Sequence, residues 1–244
     1  GVIRSNPAAG IRVSVPEGDG TDRPAPREKR ALTIDELRRL LMALPPHYRL
    51  LAEFLAHTGL RIGEVSELRW GRDLVLTDRP YVKVRWQFAD GRVCAPKTRY
   101  GKRDIPLSPG LAAKLAAAQS AASDGALAFT TPTGTRLDRH NLLAKVLQPA
   151  GRAAGLPWVT PHTFRHTCAS LLFERGKNAV QVQRWLGHHS AAFTLSRYTH
   201  LLDSGVGEAL DLDAELAESA NPVLTQPTGT DPTQPESRFE KTAH

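Results

Sequence analysis

The chain has 244 residues, of which 41% are apolar and 23% are charged, values that are ordinary for a globular protein of one or two domains. No apolar run approaches the roughly 20 residues that span a bilayer, and no signal-peptide pattern is present at the start. The two cysteines, Cys94 and Cys168, lie far apart. These features argue against a membrane-spanning protein and a disulfide scaffold, and we expect the chain to work in a reducing cytoplasm.

Positive charge is concentrated in the first four fifths of the chain. The formal net charge is +7, but from Asp203 onward nine residues are acidic and two are basic. Residues 1–202 therefore carry 30 basic and 16 acidic residues, a net charge of +14. A body this basic predicts a polyanionic partner, most simply DNA or RNA. The alternative is a surface charge that only keeps the protein in solution.

Residues 1–30 are predicted to be a linker. Pro7, Pro16, Pro24 and Pro26 interrupt any helix there, and a Gly-Asp-Gly sequence adds flexibility. Such a stretch more often follows an upstream domain than opens a protein. We therefore expect the chain to be a fragment that begins between two domains.

Helices are predicted directly after the linker, where the folded part of the chain is expected to begin. Thr33 and Glu36 form a capping-box pattern at the start of an apolar stripe with helical spacing. A second helix is predicted over residues 47–58, and Gly59 stands where a left-handed residue commonly ends a helix. A third helix is predicted over residues 61–70.

A small antiparallel sheet is predicted in the middle of the chain. Residues 81–86 alternate in polarity as a strand does, and Asp90-Gly91 is a hairpin turn signal. Residues 92–94 and 103–105 are predicted to complete the sheet. Further elements follow in the order helix, strand and helix, over residues 109–122, 126–130 and 138–154.

The last predicted helices carry most of the polar clusters of the chain. They cover residues 161–176, 179–186 and 193–201, and a proline opens the first of them. An acidic amphipathic helix is predicted over residues 205–218. After it, residues 219–244 are rich in Thr, Gln and Pro, which is typical of a disordered tail.

Several of these clusters hold side chains suited to cleaving a phosphodiester without a metal. The transition state gathers negative charge on the non-bridging oxygens, which two planar guanidinium groups can bind. Tyrosine is a suitable nucleophile because its phosphate ester can be reversed, and the departing 5′ oxygen needs a proton. The residues that can fill these roles are Arg61 and Arg165 as the guanidinium pair, Tyr198 as the nucleophile, Lys97 as the proton donor, and His162 and His188 as flanking donors or proton shuttles.

The same residues stand in motifs that resemble those of one protein family. The sequence Thr-Gly-Leu-Arg-Ile-Gly-Glu at 58–64 is similar to the first arginine motif of the tyrosine recombinases, also called the phage integrase family. Its lysine motif is resembled by Pro-Lys-Thr at 96–98 followed by Arg-Asp-Ile-Pro-Leu at 103–107, and its second arginine motif by His-x-x-Arg-His-Thr at 162–167. Its histidine and nucleophile motifs are resembled by Leu-Gly-His at 186–188 and Tyr-Thr-His at 198–200. Each motif is weak alone. Five in the family's order, across about residues 32–202, make a strong set.

The resemblance implies an α+β, predominantly helical fold with a small antiparallel sheet, the catalytic fold of DNA breaking-rejoining enzymes. It implies site-specific cleavage and rejoining of double-stranded DNA attachment sites through a 3′-phosphotyrosyl intermediate, without metal, ATP or another cofactor. The biological role implied is integration or excision of a phage or mobile element. Residues 31–204 would be the catalytic domain, after a missing N-terminal core-binding domain. The implied partners are further copies of the chain, monomeric when free and tetrameric on DNA, and accessory DNA-bending or directionality factors.

Some assignments within this resemblance stay open. His188 is preferred as the site histidine because it follows the Leu-Gly pair, and His189 is its competitor. Glu64 is expected to orient Arg61 or a neighbour. Residues 205–218 are expected either to contact a neighbouring subunit or to pack on their own domain. Contacts to DNA phosphates are expected from the basic side chains around the lysine motif, Arg92, Arg99, Lys102 and Arg103.

Other interpretations of the same residues compete with a strand-exchange enzyme. Residues 161–186 could form the helix-turn-helix of a DNA-binding protein without catalytic activity, although groove reading does not require the arginine pair, the lysine and the tyrosine together. A relaxing enzyme of the type IB topoisomerase kind shares the chemistry, but the linker and lysine arrangement expected there are not evident. His162 and His166 could bind zinc, yet no Glu stands between them in the metalloprotease pattern and no Cys cluster is near.

Overall fold

Buried aliphatic and aromatic side chains form the centre of a helical body that carries two small antiparallel sheets. The computed structural model describes residues 30–96 and 98–198. Lys97, nearly all of the predicted linker, the predicted helix over residues 205–218 and the tail lie outside the described residues. The predicted α+β, mainly helical class is confirmed. Within the described ranges, no helix is both long enough and apolar enough to cross a membrane.

The first helix begins, and the second helix ends, where the sequence predicts. α1 (Ile34–Ala43) follows Thr33, whose side chain accepts a hydrogen bond from the Glu36 N–H, while the Glu36 carboxylate accepts one from the Thr33 N–H. α2 (Pro46–Thr58) ends at Gly59, which is left-handed with a φ of 62°. The capping box therefore fixes the start of α1, and left-handed Gly59 fixes where the segment after α2 begins.

The third helix is much shorter than predicted. α3 covers Ile62–Val65, after which the chain turns. The N–H of Trp70 donates to the Ala126 carbonyl at 3.0 Å, and the Leu68 carbonyl accepts from the Ala128 N–H at 2.8 Å. The prediction of a long third helix was wrong because this backbone pairs with a distant segment instead of with itself.

The predicted single sheet is divided into two. In chain order the strands are β1 (Leu74–Val75), β2 (Tyr81–Val84), β3 (Gln87–Ala89), β4 (Arg92–Cys94) and β5 (Arg103–Pro106). One antiparallel sheet has the order β1-β2-β5, and β3 and β4 form a separate hairpin. The predicted turn at Asp90-Gly91 is confirmed, with φ angles of 51° and 74°.

Two strand predictions needed correction. The strand predicted over residues 81–86 stops at Val84, where the Arg85 guanidinium donates to the carbonyls of Val84 and Arg103. Over residues 126–130 the described chain forms only an isolated bridge at each end of the segment. The first of these bridges joins Leu127 to a turn, which offers no extended edge on which a strand could grow.

The remaining helices agree with prediction to within a few residues. They are α4 (Pro109–Gln119), α5 (Arg139–Asn141), a π-helical stretch (Leu142–Leu147), α6 (Gln148–Ala153), α7 (Pro161–Glu174), α8 (Ala179–Leu186) and α9 (Ala191–Tyr198). α7 packs against α2 and α8, and α9 packs against α8. A second core lies among α7, α8 and α9, formed by Cys168, Ala169, Phe173, Val182, Leu186 and Tyr198.

Candidate functional site

Arg61 immediately precedes α3 and is held by Glu64. Its N–H donates to Glu64 Oε2 at 2.8 Å, and its Nη1 donates to Oε1 at 3.2 Å. The Glu64 side chain is 1% exposed, whereas that of Arg61 is 40% exposed. The carboxylate therefore fixes one edge of the arginine and leaves the rest of the guanidinium open to a ligand. This geometry supports the orienting role predicted for Glu64.

Arg103 is buried, which corrects its prediction as a contact to DNA phosphate. Its side chain is 6% exposed. It forms a bidentate ion pair with Glu64, with Nη1–Oε1 and Nη2–Oε2 distances of 2.9 and 3.0 Å. Its Nε also donates to the Trp185 carbonyl at 2.7 Å, and its Nη1 to the Gly101 carbonyl at 3.0 Å. The prediction was wrong because these partners enclose the guanidinium inside the protein.

The charge of Glu64 follows from the same contacts. Burial by itself raises the pKa of a carboxyl group. Here the charge and hydrogen bonds of Arg103 outweigh burial, and Arg61 and Arg165 add to them, so the pKa of Glu64 lies below its ordinary value. The buried carboxylate is ionised at neutral pH and balances part of the positive charge gathered around it.

Arg165 lies in the second turn of α7 and joins the ends of two other helices. Its Nη1 donates to the Gly59 carbonyl at 2.7 Å, and its Nη2 donates to the Leu186 carbonyl at 2.6 Å. These carbonyls stand at the C-terminal ends of α2 and α8, where the helix dipole favours a cation. Burial, and then the charge of Arg61, lower the pKa of Arg165 to about 9, so it remains charged at neutral pH.

His188 follows α8 and is buried beside the arginines. Its Nδ1 lies 2.9 Å from Thr194 Oγ1. Burial, and then the charges of Arg165, Arg61 and Arg103, lower the pKa of His188 to about 3. The imidazole is therefore neutral at pH 7, and its environment penalises any added positive charge.

A cavity of about 500 Å³ lies beside His188. Arg61 and His189 line it, as do Pro96 and Thr98, the residues on either side of Lys97. His189 is exposed and its ring centroid lies 4.8 Å from that of Phe193, whereas His188 is buried in the field of the arginines. This difference supports the preference for His188 over His189 as the site histidine.

A neighbouring cavity of about 480 Å³ is lined by Arg61 and His162. The residue His162 is exposed. Partial desolvation by the surrounding protein, followed by the charges of Arg139, Arg165 and Arg61, nevertheless lowers its pKa. Arg139 and His140, at the start of α5, also line this cavity and are exposed. Sequence reasoning did not select Arg139, since no motif marks it and only the fold brings it beside His162.

Tyr198 lies at the end of α9 and is enclosed by the second core. The residue is 3% exposed, and its hydroxyl lies 3.0 Å from His166 Nδ1. Its ring centroid is 5.7 Å from those of both His166 and Phe173. From sequence, His166 stood in the second arginine motif and in a possible zinc pair, but it was given no role of its own in the site. Its position one residue after Arg165 was the available signal that it faces the same region.

The predicted surface contacts of the lysine region divide into two groups. Arg92, Arg99 and Lys102 are exposed, as contacts to a DNA backbone require. The Arg99 guanidinium lies over the Tyr100 ring at 4.9 Å and donates to its hydroxyl at 2.9 Å. Arg103, in contrast, is buried, as described above. Lys97 lies outside the described residues, so its assignment stays a prediction.

Comparison with solved structures shows which class of protein has this fold. The Tn1549 transposon integrase, residues 82–397 in complex with circular intermediate DNA, superposes with a TM-score of 0.62 at 22% identity. The match covers 80% of this chain and 69% of that one. The fold is therefore that of the integrases and tyrosine recombinases.

Sequence comparison identifies the family. The model of the phage integrase family matches residues 30–204, so the chain belongs to the phage integrase family. A tyrosine recombinase XerC-like protein of Caldanaerobacter subterraneus is 30% identical, over 83% of this chain and 58% of its own length. A putative prophage phiRv2 integrase of Mycobacterium tuberculosis is 30% identical, over 78% of this chain and 52% of its own length. The chain thus spans little more than half the length of these relatives.

Proposed function

We propose that this chain carries the DNA-cleaving and rejoining domain of a site-specific tyrosine recombinase. The observation that supports this most strongly is the convergence of Arg61, Arg165 and His188 from three separate segments, close enough for both arginines to lower the pKa of the histidine. A neutral hydrogen-bonding group beside two cations suits a phosphate that gains negative charge as it reacts. Membership of the phage integrase family supports the same activity.

The proposed reaction is attack by the Tyr198 hydroxyl oxygen on phosphorus. A tyrosyl–phosphorus bond forms, the bond to the 5′ oxygen breaks, and that oxygen takes a proton, in this proposal from Lys97. The phenolic proton passes to an acceptor, and His166, whose Nδ1 lies 3.0 Å from the hydroxyl before DNA binds, is the candidate for that role. The 3′-phosphotyrosyl ester retains the energy of the cleaved bond, so a 5′ hydroxyl can reverse the reaction and rejoin the strand.

The enclosure of Tyr198 sets a condition on this reaction. At 3% exposure, the tyrosine cannot meet a DNA backbone without a change in its surroundings. α9, which packs against α8, is the element that carries it. We infer that DNA binding shifts α9 far enough for the hydroxyl to reach the phosphate beside Arg61 and Arg165.

The proposed partner is double-stranded DNA carrying an attachment site. The net charge of +14 over residues 1–202 and the exposed Arg92, Arg99 and Lys102 support binding to a DNA backbone. In this proposal the whole protein is monomeric when free, tetrameric on DNA and active in the cytoplasm, and it integrates or excises a phage or mobile element. Accessory DNA-bending or directionality factors belong to the same proposal.

Replacing Arg61 separates an enzyme from a DNA-binding module. We expect Arg61→Ala to lower the rate of cleavage of a suicide attachment-site substrate by about 10²–10³-fold, since it removes a transition-state contact. DNA affinity in a filter or mobility assay should fall by less than about tenfold, since one phosphate contact is lost among many. Arg79→Ala, which removes an exposed arginine on the turn before β2, is the matched control and should keep both properties. Equal losses of cleavage and binding in Arg61→Ala would instead favour the binding module.

A further inference from the structure

Arg103 touches three segments that carry separate parts of the candidate site. Through Glu64 it shares a carboxylate with Arg61, with Arg103–Glu64 and Arg61–Glu64 distances of 2.9 and 3.2 Å to the same Oε1. Through the Trp185 carbonyl it holds the end of α8, two residues before Gly187 and three before His188. The third contact, to the Gly101 carbonyl, is to the loop that follows the predicted lysine motif.

The packing around this guanidinium leaves little space for another arrangement. Gly187 is left-handed with a φ of 68°, and a Cβ added there would lie 2.9 Å from Arg103 Nη1 and 2.8 Å from the Tyr100 carbonyl oxygen. Gly101 is similarly close to its neighbours, since a Cβ added there would lie 2.3 Å from Pro96 Cβ. A residue with a side chain at position 187 would therefore displace Arg103 or the loop.

We propose that Arg103 is a positioning residue that sets the mutual placement of Arg61, the loop of residues 98–102 and His188. It acts through Glu64, the Gly101 carbonyl and the Trp185 carbonyl, and it does not touch the DNA. Lysine cannot replace it, because a single ammonium lacks the planar fork that serves two carboxylate oxygens and two carbonyls from fixed directions. The cleavage test of this inference rests on the proposed function. The hydrogen-exchange test rests only on the contacts of Arg103.

The activity test uses the full chain and a suicide attachment-site substrate at saturating protein. We expect Arg103→Lys to lower the saturated cleavage rate at least about tenfold, since small misplacements of catalytic groups cost this much or more. The DNA dissociation constant should stay within about threefold of the wild-type value, and its salt dependence should be unchanged, because no phosphate contact is lost. All rates are compared well below the unfolding temperature of each variant.

Arg72→Lys provides the matched control. Arg72 also bonds to a buried carboxylate, Asp73, with an Nη2–Oδ2 distance of 2.6 Å, but it contacts none of the predicted site residues. The same exchange at this position should lower the unfolding temperature while leaving the saturated cleavage rate unchanged. If Arg103→Lys cleaves as fast as Arg72→Lys, or weakens DNA binding with a shallower salt dependence, Arg103 is a structural or DNA-contacting residue and the proposal fails.

Hydrogen exchange followed by mass spectrometry tests the placement without any activity. In Arg103→Lys we expect faster amide exchange in peptides covering residues 60–66, 98–102 and 184–189 together, and in Arg72→Lys in none of them. Gly187→Ala, which crowds Arg103 without removing its charge, should give the same pattern if Arg103→Lys does not fold. Faster exchange in one segment alone would overturn the proposal. Absence of cleavage by the wild-type protein would count against the proposed function. The hydrogen-exchange result would still test whether Arg103 positions the three segments.

Discussion

At the scale of single residues, the neutral state of His188 has a consequence for stability. In the unfolded chain its imidazole takes up a proton near the ordinary pKa of about 6.5, whereas the folded protein holds the pKa at about 3. Acid therefore favours the unfolded chain. The stability that His188 contributes is fully present above pH 6.5 and is lost as the pH falls toward 3. We expect the free energy of unfolding to fall below pH 6.5 by up to about 1.4 kcal/mol per pH unit from this residue.

Urea titrations at several pH values between 7.5 and 5 measure this contribution by comparison of variants. His188→Gln should show a shallower loss of unfolding free energy with acid than the wild-type protein, because the titrating group is gone. His189→Gln, which replaces an exposed neighbour and leaves the buried imidazole in place, is the control and should change the slope less than His188→Gln does. The opposite ranking, with the slope changed by His189→Gln, would mean that the burial assigned to the two histidines is reversed.

Residue types in their order along the chain were enough to select Arg61, Arg165, His188 and Tyr198 as candidates. The role of Arg103 could not be selected in this way. Its partners Glu64 and Trp185 stand 39 and 82 residues away, so whether its charge faces solvent or a buried carboxylate depends on long-range packing. A basic residue beside a predicted DNA-binding loop carries the same local signal in both cases.

At the scale of elements, the close approach of α2, α7 and α8 depends on Gly59. This residue has a φ of 62°, and a Cβ added to it would lie 2.6 Å from Leu186 Cδ2 and 3.1 Å from Cys168 Sγ. We expect Gly59→Ala to lower the free energy of unfolding by about 2–5 kcal/mol, because left-handed backbone costs alanine about 1–2 kcal/mol and overpacking about 1–3 kcal/mol. Urea unfolding at neutral pH measures the loss.

Gly134→Ala is the control for this prediction. Gly134 is also left-handed, with a φ of 77°, but an added Cβ would meet nothing within 4 Å. The variant should therefore lose only the backbone part, about 1–2 kcal/mol. Losses of equal size in the two variants would show that the helices do not approach each other at Gly59 as closely as described.

Elements formed by local interactions could be predicted from the sequence, whereas those that depend on distant partners could not. Local signals were sufficient for α1 with its Thr33–Glu36 capping box and for the hairpin turn at Asp90-Gly91. They failed for the helix predicted over residues 61–70, where Val65 and Leu68 have helical spacing. There the Leu68 carbonyl accepts from Ala128 and the Trp70 N–H donates to Ala126 instead. Apolar spacing marks a residue as buried, and it does not reveal whether the backbone finds its partners nearby or far away.

At the scale of the whole molecule, the candidate site exists only because separate parts of the chain converge. Arg61 comes from the segment after α2, Arg165 from α7 and His188 from the end of α8, and the guanidinium of Arg165 bonds to both neighbouring segments. The sequence predicted this convergence through a resemblance in motif order. The physical contacts that achieve it, carbonyls at two helix ends and a shared buried carboxylate, required the structure.

Formation of the covalent tyrosyl–DNA bond is the central step of the proposed mechanism, and one gel tests it directly. The full chain, joined to an N-terminal extension if DNA binding requires it, is incubated with a nicked suicide substrate of its attachment site and resolved under denaturing conditions. The proposed mechanism predicts a protein–DNA adduct with the wild-type chain and none with Tyr198→Phe, which lacks the attacking oxygen. An adduct that persists in Tyr198→Phe, or no adduct from a wild-type protein that binds the site, would contradict it.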